Sequence, residues 1–546
     1  MRFTRRNKIL LLVLLVILNT VIRIPLVPHE LGLDSFYIHQ ISDSITDYGE
    51  VKWVLHPVQF FGFGTTPPAL PILISGLSQC LGISSEVSIL LLSFISGLLG
   101  AIVAYIFMYY VTKDEYISYL GALLFSLSPE FLRITIWTAT TRSLFIALLP
   151  LFLYLLFRST GTKRRMSYII LLFSIYALLM ATHHMGVLLL FYFCPLFILS
   201  FFKLFKRVKF IELISNTKIS AFLWIFLFLL LFLPVVLKMG FLKDYTFLWS
   251  GYQSGRFFEG GEYHVIPLNL MIDYLGKMGI LLPFAMIGVI GLLSKTGGRR
   301  TMFESYVLIF LLLVAPILGV SVYTPMFLLI ILAFLISIGL TRFMDINIVR
   351  KQLKVLLPLS LVVMLCFSMF MLANWGGWTG KNIFEKHIEE TKNTASFIGN
   401  YGNGTFTSNE RAYIYKHSVY SGVPSAPGYV YNYRFTDKDN LKARLNLDVK
   451  SVFEGKGQNI IIIEHENEDN ENLRLRDPWY EFGYVWASDP DGNRELLDRY
   501  NIKYCVETNF ELYLSQWAKK TKLFKKMHES RPKIYDNKME EVYFIG

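Results

Sequence analysis

Long apolar runs fill the first two thirds of the 546-residue chain, and the short links between them alternate between strongly basic and nearly free of Lys and Arg. A helix needs about 20 apolar residues to cross some 30 Å of hydrocarbon, and links rich in Lys and Arg stay on the cytoplasmic side. The basic clusters are Arg2/Arg5/Arg6/Lys8, Arg158/Lys163/Arg164/Arg165, Lys203/Lys206/Arg207/Lys209, Lys295/Arg299/Arg300 and Arg342/Arg350/Lys351/Lys354. Keeping all of them on one side predicts spans at 9–27, 87–111, 116–129, 141–157, 167–182, 184–202, 218–237, 278–294, 303–319, 322–340 and 355–374, about eleven crossings in all. The amino end is then cytoplasmic and the tail beyond Trp375 lies outside. No small-x-small cleavage site follows the first run, so it reads as a retained helix rather than a signal peptide.

The apolar stretch 67–82 does not fit as a crossing, because counting it would invert every later basic cluster. It reads as a re-entrant or interfacial helix. The expected architecture is thus a membrane all-α region, residues 1–375, with a long first outer loop at 28–66, followed by a small extracytoplasmic α/β domain at 376–546. In that tail the pattern predicts helices at 385–400 and 494–500 and strands at 404–407, 459–464 and 502–507. A hairpin of 533–536 and 542–545 turns at Asn537-Lys538. About 170 residues are enough to form a separate core. Asn403-Gly404-Thr405 is an N-glycosylation acceptor pattern compatible with an outside location.

Composition supports a multi-pass protein of the cell membrane: the chain is 53% hydrophobic and 16% aromatic. The net charge of +12 sits in the membrane half and its cytoplasmic links, so nucleic acid is not implied as a partner. Three of the four cysteines, Cys80, Cys194 and Cys366, lie in apolar runs and only Cys505 lies in the tail, which leaves the exported part without a disulfide framework or a Cys-based metal site.

Polar groups concentrate in three outer segments. The first loop contains Asp34 at the head of a stretch whose apolar positions Tyr37, Ile38, Ile41 and Ile45 recur at helical spacing, as expected of an interfacial helix with one face buried. Asp34 reads either as the N-cap of that helix or as a functional carboxylate, while Asp43, Asp47 and Glu50 read as a solvated face. The second segment, S-P-E-F-L-R-I-T-I-W-T-A-T-T-R, places Glu130, Arg133 and Arg142 at a membrane boundary, where ionisable groups are costly and are paired or functional. Arginine can grip a phosphate through two parallel N–H donors, but Glu130 and Arg133 are three apart and can equally pair with each other. The third is His183-His184, readable as base, ligand or packing residues. The loop 238–277 adds Arg256 and other polar groups, and its length and glycine content suit a lid.

The order of a first span, a long outer loop with an early Asp, and G-T-T-P-P-A-L-P-I-L-I-S-G-L before the next span resembles the GT-C superfamily of polytopic glycosyltransferases, which includes oligosaccharyltransferases, protein O-mannosyltransferases and aminoarabinose transferases. The S-P-x-x-L-R stretch and the tail segments D-R-Y-N-I-K-Y-C-V-E and K-I-Y-D-N…V-Y-F-I are also similar to members of that group. The resemblance implies an inverting transferase that moves a sugar from a polyprenyl-phosphate-linked donor to a glycan, lipid or protein acceptor on the outer face. It makes Asp34 the counterpart of the early acidic residue that acts as catalytic base or metal ligand. A departing lipid phosphate needs positive charge nearby, a role that falls to Arg133 and Arg142, with Glu130, His183, His184 and Arg256 as accessory candidates.

Two departures separate the chain from oligosaccharyltransferases. Their second outer loop carries D-x-D or D-N-E where this chain has W-T-A-T-T-R, and Trp375-Gly376-Gly377-Trp378 is only an echo of their W-W-D-Y-G. The resemblance leaves a divalent metal open, and the missing acidic group speaks against tight binding. A metal-independent transferase of single sugars is therefore expected. A transporter or flippase of lipid-linked substrates is the competing reading, although it calls for midplane charges and paired broken helices. A non-catalytic relative of the same superfamily is the third.

Overall fold

The computed structural model describes residues 5–24, 29–48, 69–160, 165–206, 267–295, 301–314, 324–344, 362–368, 370, 388–401, 405–408, 411–422, 502–508, 532–538 and 540–544. The helical part runs α1 (Arg5–Ile22), α2 (Leu33–Tyr48), α3 (Ala69–Leu81), α4 (Ser85–Thr112), α5 (Glu115–Ser126), α6 (Pro129–Thr135), α7 (Thr141–Ser159), α8 (Arg165–Thr182), a 3₁₀ turn (His184–Leu189), α9 (Leu190–Lys206), α10 (Pro267–Met278), α11 (Pro283–Ser294), α12 (Met302–Val314) and α13 (Thr324–Met344).

Among the described residues α4, α7 and α13 are long and apolar enough to cross a membrane, and the count rises to five if each of two bent helix pairs is one span. The expected crossing 116–129 is one of those pairs: α5 stops at Ser126 and the chain turns 58° into α6, where Pro129 occupies the first turn. Proline suits that position because its missing N–H would be unsatisfied there in any case. The expected crossing 278–294 begins only at Pro283, after a 97° turn from α10. The 3₁₀ turn likewise delays the helix expected from 184. The expected span 218–237 lies outside the described residues, and 355–374 is described only in part.

The first helix ends at Ile22, short of the expected 27, because Arg23 turns back into the bundle. Its buried guanidinium donates to Asn19 Oδ1 at 2.7 Å, Ser126 O at 2.9 Å and Thr135 Oγ1 at 3.0 Å, which offsets the cost of burying a cation. Gly97 on α4 makes the room, since a Cβ there would lie 2.0 Å from Arg23 Nε. Small residues serve the same end between α11 and α13, where a Cβ on Gly339 would meet the Phe284 carbonyl at 1.9 Å. Such close backbone approach is the usual basis of helix association in lipid.

The segment expected to be re-entrant or interfacial forms α3, a 13-residue apolar helix packed against α2 and α4. The expected inner face of α2 is present: Ile38, Ile41 and Ile45 are buried and Tyr37 half-buried. However, Ser35, Phe36, Gln40 and Ser42 on other sides of the helix are buried too, because later elements cover it.

Those elements are α14 (Ile388–Tyr401), β1 (Thr405–Ser408), α15 (Arg411–Ser421), β2 (Ile502–Thr508), β3 (Lys533–Asp536) and β4 (Glu540–Phe544). The strands form one sheet in the order β1-β2-β4-β3, with β1 parallel to β2 and the other pairs antiparallel. The expected terminal hairpin is therefore present as β3–β4. Tyr504 and Val506 on β2 face Phe544 and Val542 on β4 and pack with Ile398 of α14. The expected strand 459–464 and helix 494–500 lie outside the described residues, whereas α15 was not anticipated. Helix α15 caps α2: Tyr420 meets the Phe36 ring edge-on at 5.7 Å, Lys416 Nζ lies 5.0 Å above that ring, and Gln40 Nε2 donates to Ser418 Oγ at 2.5 Å.

Candidate active site

Asp34 lies within the first turn of α2, behind Leu33, so it is not the capping residue. The turn is made by Gly32, whose φ of +86° favours glycine and whose carbonyl accepts the Ser35 N–H at 3.1 Å. Arg142 lies in the first turn of α7, and its Nη2 donates to Asp34 Oδ2 at 2.6 Å. A carboxylate at a helix N-terminus is favoured by the helix dipole and a cation there is disfavoured. Asp34 therefore sits where its own helix stabilises it, whereas Arg142 sits against its helix dipole and the carboxylate opposite offsets this. The pair is open to the surface, with the Asp34 side chain 55% exposed and that of Arg142 20% exposed.

In the second outer segment Glu130 and Arg133 are paired. Glu130 is wholly buried, and Arg133 grips both of its oxygens, Nη2 to Oε1 at 2.6 Å and Nε to Oε2 at 3.2 Å. The local ion pair expected from the three-residue spacing is present. The Glu130 carboxylate also lies in the field of Lys277 and Arg142. Lys277 on α10, buried and joined to Asp273 Oδ2 at 2.8 Å, was not singled out by sequence. Its relation to Glu130 spans 147 positions, beyond any spacing rule. Acidic and basic side chains from α2, α6, α7 and α10 thus share one electrostatic neighbourhood.

His183 is buried with its ring 6.0 Å from Phe145, one turn along α7 from Arg142, a packing position. His184 opens the 3₁₀ turn, and its side chain is outside the described set, as is Arg256 altogether. Asp43, expected on a solvated face, keeps its side chain 42% exposed and also pairs with His39 at 3.2 Å, while the side chains of Asp47 and Glu50 lie outside the described set. His39 itself was missed: its Nδ1 lies 2.7 Å from Glu30 Oε1. The i,i+4 spacing of His39 and Asp43 was the available signal.

The described residues do not gather three or more His, Cys, Asp or Glu side chains where a metal ion could sit. Near Asp34 the described partner is the Arg142 guanidinium, and the Glu130 carboxylate is held by Arg133. A divalent cation needs several oxygen ligands, which this donor set does not supply.

No protein-family model and no curated protein matches the chain. Solved structures do. The archaeal oligosaccharyltransferase from Archaeoglobus fulgidus in its apo form superposes with a TM-score of 0.60 at 13% identity, over 93% of this chain and 70% of that one. The archaeal oligosaccharyltransferase AglB from Archaeoglobus fulgidus, in complex with an inhibitory peptide and a dolichol-phosphate, gives 0.57 at 13% identity over 92% and 69%. ArnT from Cupriavidus metallidurans, bound to undecaprenyl phosphate, gives 0.50 at 11% identity over 98% and 97%. Taken with the arrangement of apolar helices and the sheet that follows them, these likenesses show that the chain shares the fold of these archaeal oligosaccharyltransferase and ArnT structures.

Proposed function

We propose that the chain is an integral-membrane glycosyltransferase that moves a sugar from a polyprenyl-phosphate-linked donor to an acceptor on the outer face of the membrane. The observation that carries this reading is the 2.6 Å contact between Asp34 and Arg142, two charged side chains open to the surface on adjacent helix N-termini. In a single inverting displacement the acceptor oxygen attacks the anomeric carbon as the bond to the lipid phosphate breaks. Asp34 takes the acceptor proton, and the polyprenyl phosphate leaves with the negative charge. Arg142 exchanges its carboxylate partner for the phosphate, which its paired N–H donors fit. Arg133, already committed to Glu130, contributes longer-range positive potential, as does Lys277.

The amino end is then cytoplasmic, with residues 376–546 forming an extracytoplasmic α/β domain and about eleven helices crossing the bilayer. The dolichol-phosphate and undecaprenyl phosphate bound by proteins of the same fold support an isoprenoid carrier. The acceptor is a glycan, lipid or protein. Replacement of Asp34 by Asn, assayed for sugar transfer in membranes, tests the reading: transfer should fall by about 10²-fold or more, the scale of losing a general base, and unchanged transfer would remove Asp34 from the mechanism.

A further inference from the structure

We infer that Ser35 is a positioning residue: its hydroxyl fixes the distance between Asp34 and Arg142 by tying the start of α2 to the irregular segment 136–140. The Ser35 side chain is fully buried. Its Oγ donates to the Leu31 carbonyl at 2.6 Å and accepts the Ala139 N–H at 2.7 Å. The Leu31 N–H in turn donates to the Trp137 carbonyl at 2.9 Å. These contacts lie on both sides of Asp34 in the sequence and end three residues before Arg142.

The far side of the segment is held as well. Ser93 on α4 accepts the Thr138 N–H at 3.0 Å and donates to the Thr138 carbonyl at 3.1 Å. Trp137 carries a positive φ of 42°, a conformation that a bulky residue adopts only when its surroundings impose it. Its ring packs with Ile38 of α2 and with Leu70, Ile74 and Ile89. The segment is therefore strained at Trp137 and buried, and Ser35, the residue next to Asp34, is its hydrogen-bonded link to α2. A serine hydroxyl has one proton to give and lone pairs to receive, and here it uses both functions at once. Alanine would leave the buried Ala139 N–H without its acceptor, and the segment would have to shift to satisfy it.

The inference rests on the transferase reading for its catalytic meaning, but its geometry can be tested without a sugar donor. Asp34→Cys and Arg142→Cys are combined, and the rate at which a short bis-methanethiosulfonate reagent joins the two positions is followed in membranes by mass spectrometry of the linked peptides. With Ser35 present the link forms readily. In Ser35→Ala the rate should fall at least about tenfold, the scale of effect an ångström of misplacement produces, and Ser35→Thr, which keeps the hydroxyl, should restore it. Ser42→Ala removes a comparable buried hydroxyl two turns further along α2, one whose hydrogen bond among the described residues lies within its helix at 2.8 Å, and should leave the rate unchanged. If Ser35→Ala fails to accumulate, Ala139→Pro removes the donor side of the same contact and should give the same loss. Equal rates in the Ser35, Ala and Thr backgrounds would overturn the role of Ser35, whatever the enzyme activity. Ser35-dependent linking together with no sugar transfer by the intact protein would instead overturn the transferase reading and leave the role of Ser35 standing.

Discussion

Glu30 and His39 form a buried pair, with His39 Nδ1 2.7 Å from Glu30 Oε1, that fastens the link preceding α2 to the helix carrying Asp34. Burial by itself favours the neutral imidazole, but the Glu30 charge, hydrogen bonds to Asp43 and Glu30, and the Asp43 charge outweigh it, and the His39 pKa is raised well above its ordinary value. Glu86, Lys392 and His29 complete the charged surroundings on the α4, α14 and link sides.

A raised histidine pKa means the folded form holds the proton more tightly than the unfolded one. The stabilisation is fully present below the unfolded value, near 6.5, and is lost as pH rises through the higher folded value. Thermal unfolding of the solubilised protein, scanned with pH, should show this alkaline loss. The scan should lose it in His39→Ala, which should also cost about 3–5 kcal/mol because Glu30 remains buried and unpaired. A variant as stable as the parent would show that the pair is incidental.

The carboxyl-terminal sheet carries a polar clamp of the opposite sign. Glu540 on β4 accepts Thr391 Oγ1 at 2.9 Å and meets His417 Nε2 at 2.9 Å, linking the sheet to α14 and α15. Burial raises its pKa, but the His417 charge and the hydrogen bonds from His417, Thr394 and Thr391 prevail and lower it. A depressed carboxylate stabilises the fold above its unfolded value and loses that contribution as pH falls through the folded one. Proteolysis of the tail should accelerate on acidification, and Glu540→Ala should make it rapid at neutral pH by destabilising the clamp by about 3 kcal/mol. A tail equally resistant in both proteins would contradict this.

Much of the fold was legible because it is local. Apolar runs of spanning length pointed to α4, α7 and α13, a short β-rich run to β2, and the Asn537-Lys538 turn to the last hairpin. The inner face of α2 was readable from its period, but its covered outer side was not, since α15 arrives from some 380 positions later in the chain. The same limit governs the site. Glu130 and Arg133 share a helix and their pairing follows from spacing, whereas Asp34 and Arg142 are separated by 108 positions and Ser35 and Ala139 by 104. Each charged residue stood out at a membrane boundary, but no sequence rule joins such distant positions. Arg23 went unremarked because it lies in an expected apolar span, and only the bundle reveals its carbonyl and hydroxyl acceptors.

The Glu130–Arg133 contact should be a stabilising pair whose loss is felt by both partners. A double-mutant cycle of Glu130→Gln and Arg133→Gln, read by thermal unfolding, should give a coupling of about 1.5–3 kcal/mol, as expected of charge-assisted hydrogen bonds with one wholly buried partner. Additive effects would show that Arg133 is held by other groups.

Arg142 should not tolerate lysine. A point charge lacks the planar fork that meets a carboxylate or phosphate through two donors, so Arg142→Lys should recover only part of the activity that Arg142→Ala loses. The alanine variant should fall by about 10²–10³-fold in transfer, the scale of removing one preorganised donor from a developing negative charge. Full activity in the lysine variant would mean that charge alone is required.

The central claim is that Asp34 drives departure of a polyprenyl phosphate from its sugar. The most direct measurement is the appearance of free polyprenyl phosphate in proteoliposomes that hold the purified chain, a polyprenyl-phosphate-linked radiolabelled sugar and a membrane extract as acceptor. The intact protein should release lipid phosphate in step with label transferred, and Asp34→Asn should release almost none. Equal release by the two proteins, or none by the intact one, would contradict the account.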